Sequence, residues 1–505
     1  MDNVVDYLIH TAAKYPDKIA FSDSTGEITF AELNIKAKRI ATNIIKKTNG
    51  RTNLPIAVIM EKSKECIAAF MGIVYSGNYY SPIDSTMPME RMNLILDTLE
   101  PMLIVTNQEI ALKQIADEQW VQYEECMQTD FDDEIIREQK EKVLSVDPVY
   151  VLFTSGSTGV PKGVVISHAS VIDYTEWLAK EFSFDEHTVF GNQAPLYFDN
   201  SILDIYSALR NGSKVFFINE KLFSFPRQLI QCLHENAVNT IFWVPSALIA
   251  VADSDVLEME GIKLPDLKQI LFCGEVMPTK QMMIWRNHYK KALMANLYGP
   301  TEITDVCSYY VVDRDYADDE SLPIGKACNN TEILVINDKN CRTQIDEIGE
   351  IYVRGISVAK GYYRNKDKTD GVFVQNPLHY DYVDIVYKTG DLAKVNCEGN
   401  IIYIGRKDNQ IKFQGHRIEL GEIEAAAMAI AQVQRACAVY ADVKKKIVLY
   451  VILKEESLNE KEIYKELKVK LPRYMLPSEI KIKDELPLNV NGKIDRVKLK
   501  EIANE

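Results

Sequence analysis

Short runs of consecutive apolar residues alternate along this chain with longer amphipathic stretches. PIAVIM, from Pro55 to Met60, is apolar at every position, which predicts a strand buried on both faces. ECIAAFMGIVYSG follows as a helix closing at Gly77, and MLIVTN, from Met102 to Asn107, as the next strand. KVFFIN, NTIFWVPS and KQILFCG repeat the rhythm. Strands alternating with helices predict an α/β fold with a largely parallel sheet and covering helices. Near Gly405 the texture changes: IIYIGRKDNQIKFQGHRIELGEIEAAAMAI is hairpin-like and then helical, and IVLYVILKEE with KEIYKELKVKLP adds a strand and a helix. The expectation is a large N-terminal domain over residues 1–407 and a small α+β domain over 408–505, joined through Arg406-Lys407-Asp408.

At 505 residues the chain exceeds one ordinary core, consistent with that division. Its formal charge of -15, from 58 basic and 73 acidic residues, argues against a nucleic-acid partner, because phosphate contacts need a net basic face. The N-terminus, MDNVVDYLIHTAAKYPDK, carries early acidic residues and no apolar core, so a signal peptide is not expected. No apolar run reaches the ~18 residues of a membrane span. A cytoplasmic protein without an integral membrane segment is expected. Nine cysteines without a CxxC pair suit neither a disulfide framework nor a zinc site.

One stretch stands apart. LFTSGSTGVPKG, from Leu152 to Gly163, follows an apolar strand with Thr154, Ser155, Gly156, Ser157, Thr158, Gly159 and Lys162. Glycines let backbone amides approach an anion, hydroxyls donate to it, and a lysine adds charge. It is not a Walker loop, since Pro161 precedes Lys162 and no GxxxxGK[ST] is present. A run of this composition could also be a flexible linker.

TSGSTGVPKGVVISH resembles the signature of the adenylate-forming superfamily, which includes acyl-CoA synthetases, amino-acid adenylation domains of nonribosomal peptide synthetases and D-alanyl carrier protein ligases. Further motifs follow in family order over nearly the whole chain: ITFAEL, SGNYYSPID, YFDNSILDIY, NLYGPTE, GEIYVRG, YKTGD, GRKDNQIKFQGHRIELGEIE, LPRYMLP and NGKIDR. The resemblance implies a β-barrel-like subdomain within the large domain and a mobile small domain. It also implies ATP and Mg2+ as cofactors, with the loop holding the β- and γ-phosphates.

A carboxylate attacking the α-phosphorus gathers negative charge that must be neutralised without a covalent step by the protein. By resemblance, Glu302 is the magnesium-associated carboxylate, with Thr158 and Thr301 near the phosphates. Asp391 accepts the ribose hydroxyls and Arg406 supports ribose or phosphate. Tyr298 and the Gly274-Glu275 turn flank adenine, Asn296 reads its amino group, and Gly299 belongs to the same nucleotide-binding set. Lys493 of NGKIDR contacts the substrate carboxylate and α-phosphate during adenylation. Asp408 is the hinge about which the small domain turns, bringing the Gln414-Gly415-His416 loop to the thiol channel.

Asp199 in YFDNS matches the aspartate that pairs with an α-ammonium in amino-acid-activating members. The other substrate positions are Asn200, Leu203, Phe242, Leu271, Cys273, Leu297, Asp305 and Val306. Phe242 and the leucines leave little volume, which favours a small side chain. LFCGEVMP and FDNSILDIY resemble D-alanyl carrier protein ligases, whereas Asn200, Asp305 and RIELGEIE depart from them. Asp305 either faces the substrate or faces solvent. The expected activity is ATP-dependent activation of a small, D-alanine-like amino acid, then transfer to the phosphopantetheine thiol of a separate carrier protein. No carrier motif follows NGKIDR. The alternative is an acyl- or aryl-CoA ligase of the same superfamily.

Overall fold

The computed structural model describes residues 2–110, 115–156, 159–259, 263–318, 320–408, 410–454, 458–487 and 494–505, and the elements below are those of the described residues. The fold class is α/β with mixed sheets. Two compact units are present. The first holds Met1–Ser85, Glu100–Leu152 and Gly163–Lys407; the second holds Asp408–Glu505 together with Thr86–Leu99 and Phe153–Lys162.

In the first unit a nine-stranded sheet has six parallel strands at its centre. Their spatial order is Ile19–Asp23, Lys214–Phe217, Val189–Asn192, Thr240–Trp243, Gln269–Phe272, Leu293–Tyr298. Antiparallel strands close both edges, Gly26–Thr29 on one side and Ser308–Val311 with Lys326–Ala327 on the other. Alternation divides the side chains between two cores. Phe242 and its register partner Leu271 join one core, while Trp243 and its partner Phe272 join the other.

A second, six-stranded sheet runs in the order Trp120–Gln122, Leu103–Thr106, Pro55–Ile59, Tyr79–Ile83, Pro148–Thr154, Lys162–Ser167. The helix Lys64–Tyr75 follows Pro55–Ile59, and Gly77 turns the chain at φ 75°. It packs on the helix Phe30–Thr48, whose start is fixed by ITFAEL. There the Thr29 amide donates to Glu32 at 2.9 Å and the Glu32 amide donates back to the Thr29 hydroxyl at 3.2 Å. Such a reciprocal cap satisfies two amides that the first turn leaves unpaired.

The subdomain expected to be barrel-like is a five-stranded antiparallel sheet built on the long strand Ile385–Val395. That strand pairs with Gly349–Gly355, Phe373–Gln375 and Ile401–Arg406 along its length. Its Asp391 lies opposite Arg406 in register.

The second unit has a three-stranded sheet of Val433–Ala441, Lys446–Leu453 and Glu479–Ile482. Ala438, Leu449 and Val451 face one apolar cluster, and Cys437, Val448 and Tyr450 the other. The hairpin Gln410–Phe413/His416–Glu419 leads into the helix Leu420–Met428.

Candidate active site

The parallel strands Thr240–Trp243, Gln269–Phe272 and Leu293–Tyr298 end side by side. Beyond the last, the chain turns so tightly that only glycine fits at 299: a Cβ there would lie 2.1 Å from the Asp305 carbonyl oxygen. Thr301–Ile303 forms one 3-10 turn, and Thr304 and Asp305 follow at φ 57° and 73°. Non-glycine residues rarely hold such angles unless their surroundings enforce them. Here the Cys307 amide donates to the Tyr298 carbonyl at 2.8 Å, and the Thr304 hydroxyl to the Ser357 carbonyl at 2.8 Å.

This turn buries Glu302 completely. A buried carboxylate needs donors. The Tyr362 hydroxyl supplies one, donating to Glu302 Oε1 at 2.7 Å. Asp305, 1% exposed, likewise accepts from the Tyr174 hydroxyl at 2.6 Å, so its side chain faces the interior and not solvent.

Asp391 is held on both oxygens. Arg406 Nη1 donates to Oδ1 at 3.1 Å and to the Thr389 carbonyl at 2.6 Å, while the Tyr298 hydroxyl donates to Oδ2 at 2.5 Å. Burial, and then the charge of Asp391, raise the Tyr298 hydroxyl well above its ordinary pKa, keeping it a donor. Asn296 Nδ2 donates to the Pro323 carbonyl at 2.7 Å. Gly274 adopts φ 102°, and the adjacent Glu275 accepts the Ser246 amide at 2.9 Å.

Leu203, Phe242, Leu271, Cys273, Leu297 and Val306 are all buried in one apolar cluster. Burying a side chain of the size of Phe242 or Leu271 contributes about 1.5–3 kcal/mol. Asp199 is half-buried where the helix Asn200–Asn211 begins and accepts the Asn200 amide at 3.0 Å. Asn200 Nδ2 is buried without a partner among the described residues. The Tyr150 hydroxyl, also unpartnered there, lies in the fields of both Asp199 and Asp305.

In the second unit, the loop Phe153–Lys162 meets a carboxylate. The Gly156 amide donates to Glu422 Oε2 at 3.3 Å, and Arg91 pairs with Glu422 Oε1. Ser155 donates to the Arg417 carbonyl at 2.8 Å, Gly159 turns at φ 83°, and Thr154 Oγ1 is buried without a partner among the described residues. Lys162 begins the outgoing strand, half-buried. Ser157, Thr158 and Lys493 lie outside the described residues. Gln414 and Gly415 form the hairpin turn, with His416 stacked on Tyr474 at 3.8 Å. Burial lowers the His416 pKa to about 4, so the ring is neutral. Asp408 opens the C-terminal segment of the second unit and accepts the Gln410 amide at 3.1 Å.

Residues 8–363 match the family of AMP-binding enzymes, and residues 422–493 match the AMP-binding enzyme C-terminal domain. The chain belongs to the AMP-binding enzyme family. This AMP-binding enzyme is 33% identical to a D-alanine–D-alanyl carrier protein ligase of Bacillus licheniformis, over 98% of this chain and 99% of that one. It is 30% identical to an L-proline–[L-prolyl-carrier protein] ligase of Pseudomonas fluorescens, over 97% of each. Its fold matches the Vibrio cholerae adenylation domain AlmE in complex with glycyl-adenosine-5'-phosphate: TM-score 0.82 at 20% identity, over 99% and 98% of the two chains. It is an AMP-forming ligase of the adenylate-forming superfamily.

Four residues of this AMP-binding enzyme make contacts across long stretches of sequence that the motifs alone do not announce. Tyr362, Tyr174, Arg91 and Glu422 act on partners 60, 131 and 331 positions away. Glu422 reads as the start of a helix.

Proposed function

We propose that this ligase activates a small amino acid, D-alanine by best fit, as its aminoacyl adenylate and passes the acyl group to the phosphopantetheine thiol of a separate carrier protein. The observation that carries the amino-acid reading is Asp199, a half-buried carboxylate at a helix start, in a unit whose apolar core holds Leu203, Phe242, Leu271, Cys273 and Leu297. A carboxylate kept partly from water favours a cationic ligand group, and bulky apolar residues favour a small side chain. The relatives support the second step: carrier protein ligases from Bacillus licheniformis, Lacticaseibacillus casei and Pseudomonas fluorescens all align end to end with this chain.

The chemistry follows from the residues. A substrate carboxylate oxygen bonds to the α-phosphorus of ATP while the bond to the bridging oxygen breaks and pyrophosphate leaves. A thiolate sulfur then bonds to the acyl carbon and AMP leaves. Asp391, with Arg406 and Tyr298 fixing its two oxygens, is an acceptor for ribose hydroxyls. With Asn296 Nδ2 committed to Pro323, its amide oxygen is the atom that would accept an adenine amino hydrogen. The loop amides serve phosphate, and the Gly156 amide already takes a carboxylate as partner.

Mg2+ in nucleotide sites typically takes one or two carboxylates plus phosphate oxygens, and the buried Glu302 suits that donor set. Glu302 would hold the ion, which supplies charge neutralisation to the phosphates when bound.

The test is carboxylate-dependent exchange of labelled pyrophosphate into ATP, run over both enantiomers of small amino acids and over matched acids lacking the amine. Exchange with alanine or a similarly small amino acid is expected. Preference for an amine-free acid would replace this reading by an acyl- or aryl-CoA ligase.

A further inference from the structure

We infer that Tyr362 is a positioning residue for the metal carboxylate Glu302, and that the strap Gly355–Tyr363 sets where that carboxylate stands. The inference rests on the proposed role of Glu302.

The strap makes two sets of contacts. On one side it pairs with the strand leaving the glycine-rich loop: the Lys360 amide donates to the Val165 carbonyl at 2.9 Å, the Val165 amide to Gly361 at 3.1 Å, and the Tyr363 amide to Gly163 at 2.7 Å. On the other it grips the turn after Leu293–Tyr298. The Ala359 amide donates to the Glu302 carbonyl at 2.8 Å, Ser357 accepts the Thr304 hydroxyl at 2.8 Å, and the Tyr362 hydroxyl reaches Glu302 Oε1 at 2.7 Å. Backbone and side chain of Glu302 are therefore both bonded to one segment.

Packing alone does not call for the hydroxyl. The Tyr362 ring is 7% exposed and meets Phe373 edge-on at 5.7 Å, contacts that phenylalanine would keep. The oxygen adds a bond to a carboxylate. A hydrogen bond there fixes the rotation of the carboxyl plane. Outer partners of this kind orient metal ligands, and their loss typically lowers metal affinity by about 10- to 100-fold.

The experiment uses the full chain with Mn2+ as the probe, its free concentration read by electron paramagnetic resonance with a non-hydrolysable ATP analogue present. Tyr362→Phe is expected to weaken Mn2+ binding by about 10- to 100-fold. Binding of the analogue without metal should be unchanged, and exchange activity should recover at high Mg2+. In a Glu302→Gln background the same change should have no further effect on Mn2+ binding. Unchanged Mn2+ affinity in Tyr362→Phe, or an equal loss of metal-free analogue binding, overturns the positioning role. If Glu302→Gln itself leaves Mn2+ affinity intact, the metal role of Glu302 is what fails. Should Tyr362→Phe not fold, 4-aminophenylalanine at 362 keeps the ring with a weaker donor; a smaller loss of Mn2+ affinity supports the inference and none overturns it.

Discussion

Replacing Arg91 by methionine removes the cation beside a carboxylate that has almost no water. The two side chains are 5% and 2% exposed. Burial already holds Glu422 above the ordinary carboxyl value of 4.5, opposed by the attraction of Arg91 and by the Gly156 amide. Removing one member of such a pair costs about 3–5 kcal/mol, because the survivor stays buried and alone. The direction with pH follows. Without Arg91, the folded-state pKa of Glu422 rises further above its unfolded value, so the folded protein binds that proton more tightly than the unfolded chain does. Stability tied to the protonated carboxyl is complete below the unfolded value and is lost as pH climbs through the raised one. Arg91→Met should therefore lose more at pH 8 than at pH 5. The four tryptophans, 120, 177, 243 and 285, all belong to the first unit, so fluorescence would report the wrong part of the molecule. Native-state amide exchange of the helix Leu420–Met428 is the suitable assay, corrected for the intrinsic pH dependence of exchange. Protection at pH 8 is expected to fall by about 2 to 4 orders of magnitude, the equivalent of that energy. A fall of under about threefold, or an equal fall at both pH values, would refute the argument.

Asp199→Asn should lower kcat/KM for the amino acid by ~10²-fold or more, from the roughly 2–5 kcal/mol lost when one partner of a buried charge pair is truncated. Nucleotide binding should be little changed, and amine-free acids should suffer far less; steady-state exchange kinetics decide it. Lys493→Ala should abolish adenylate formation yet leave transfer from a supplied aminoacyl adenylate largely intact, read by carrier loading. Asp408→Pro, which fixes φ at the unit boundary, should keep exchange and lose loading. Normal loading by that variant removes Asp408 from the hinge role.

Much of the scaffold is legible because burial on both faces leaves a continuous apolar run. PIAVIM, KVFFIN and KQILFCG each contain a strand of four or five residues. Edge strands hide better: Lys326–Ala327 is two residues long with its lysine exposed, too short for any apolar run to announce it. Asp391 and Arg406 are legible through motifs, and their register pairing brings them together on neighbouring strands. The donors to Glu302 and Asp305 are not. Tyr362 and Tyr174 are aromatics whose hydroxyls matter only once distant segments meet, and local periodicity holds no record of that meeting. The orientation of Asp305 was open for the same reason, since an αL turn rotates its side chain inward against the expectation for a charged loop residue.

The Arg91–Glu422 pair also has a history in time. Arg91 leaves the ribosome 331 residues before its partner. At ~5–20 residues per second, roughly 15–65 s pass before that guanidinium can meet its native carboxylate. The glycine-rich loop, too, is synthesised well before the helix whose glutamate its Gly156 amide binds. The second unit therefore cannot be completed until the last fifth of the chain emerges, and a nascent chain stalled short of Glu422 holds Thr86–Leu99 and Phe153–Lys162 without the segment that completes their unit.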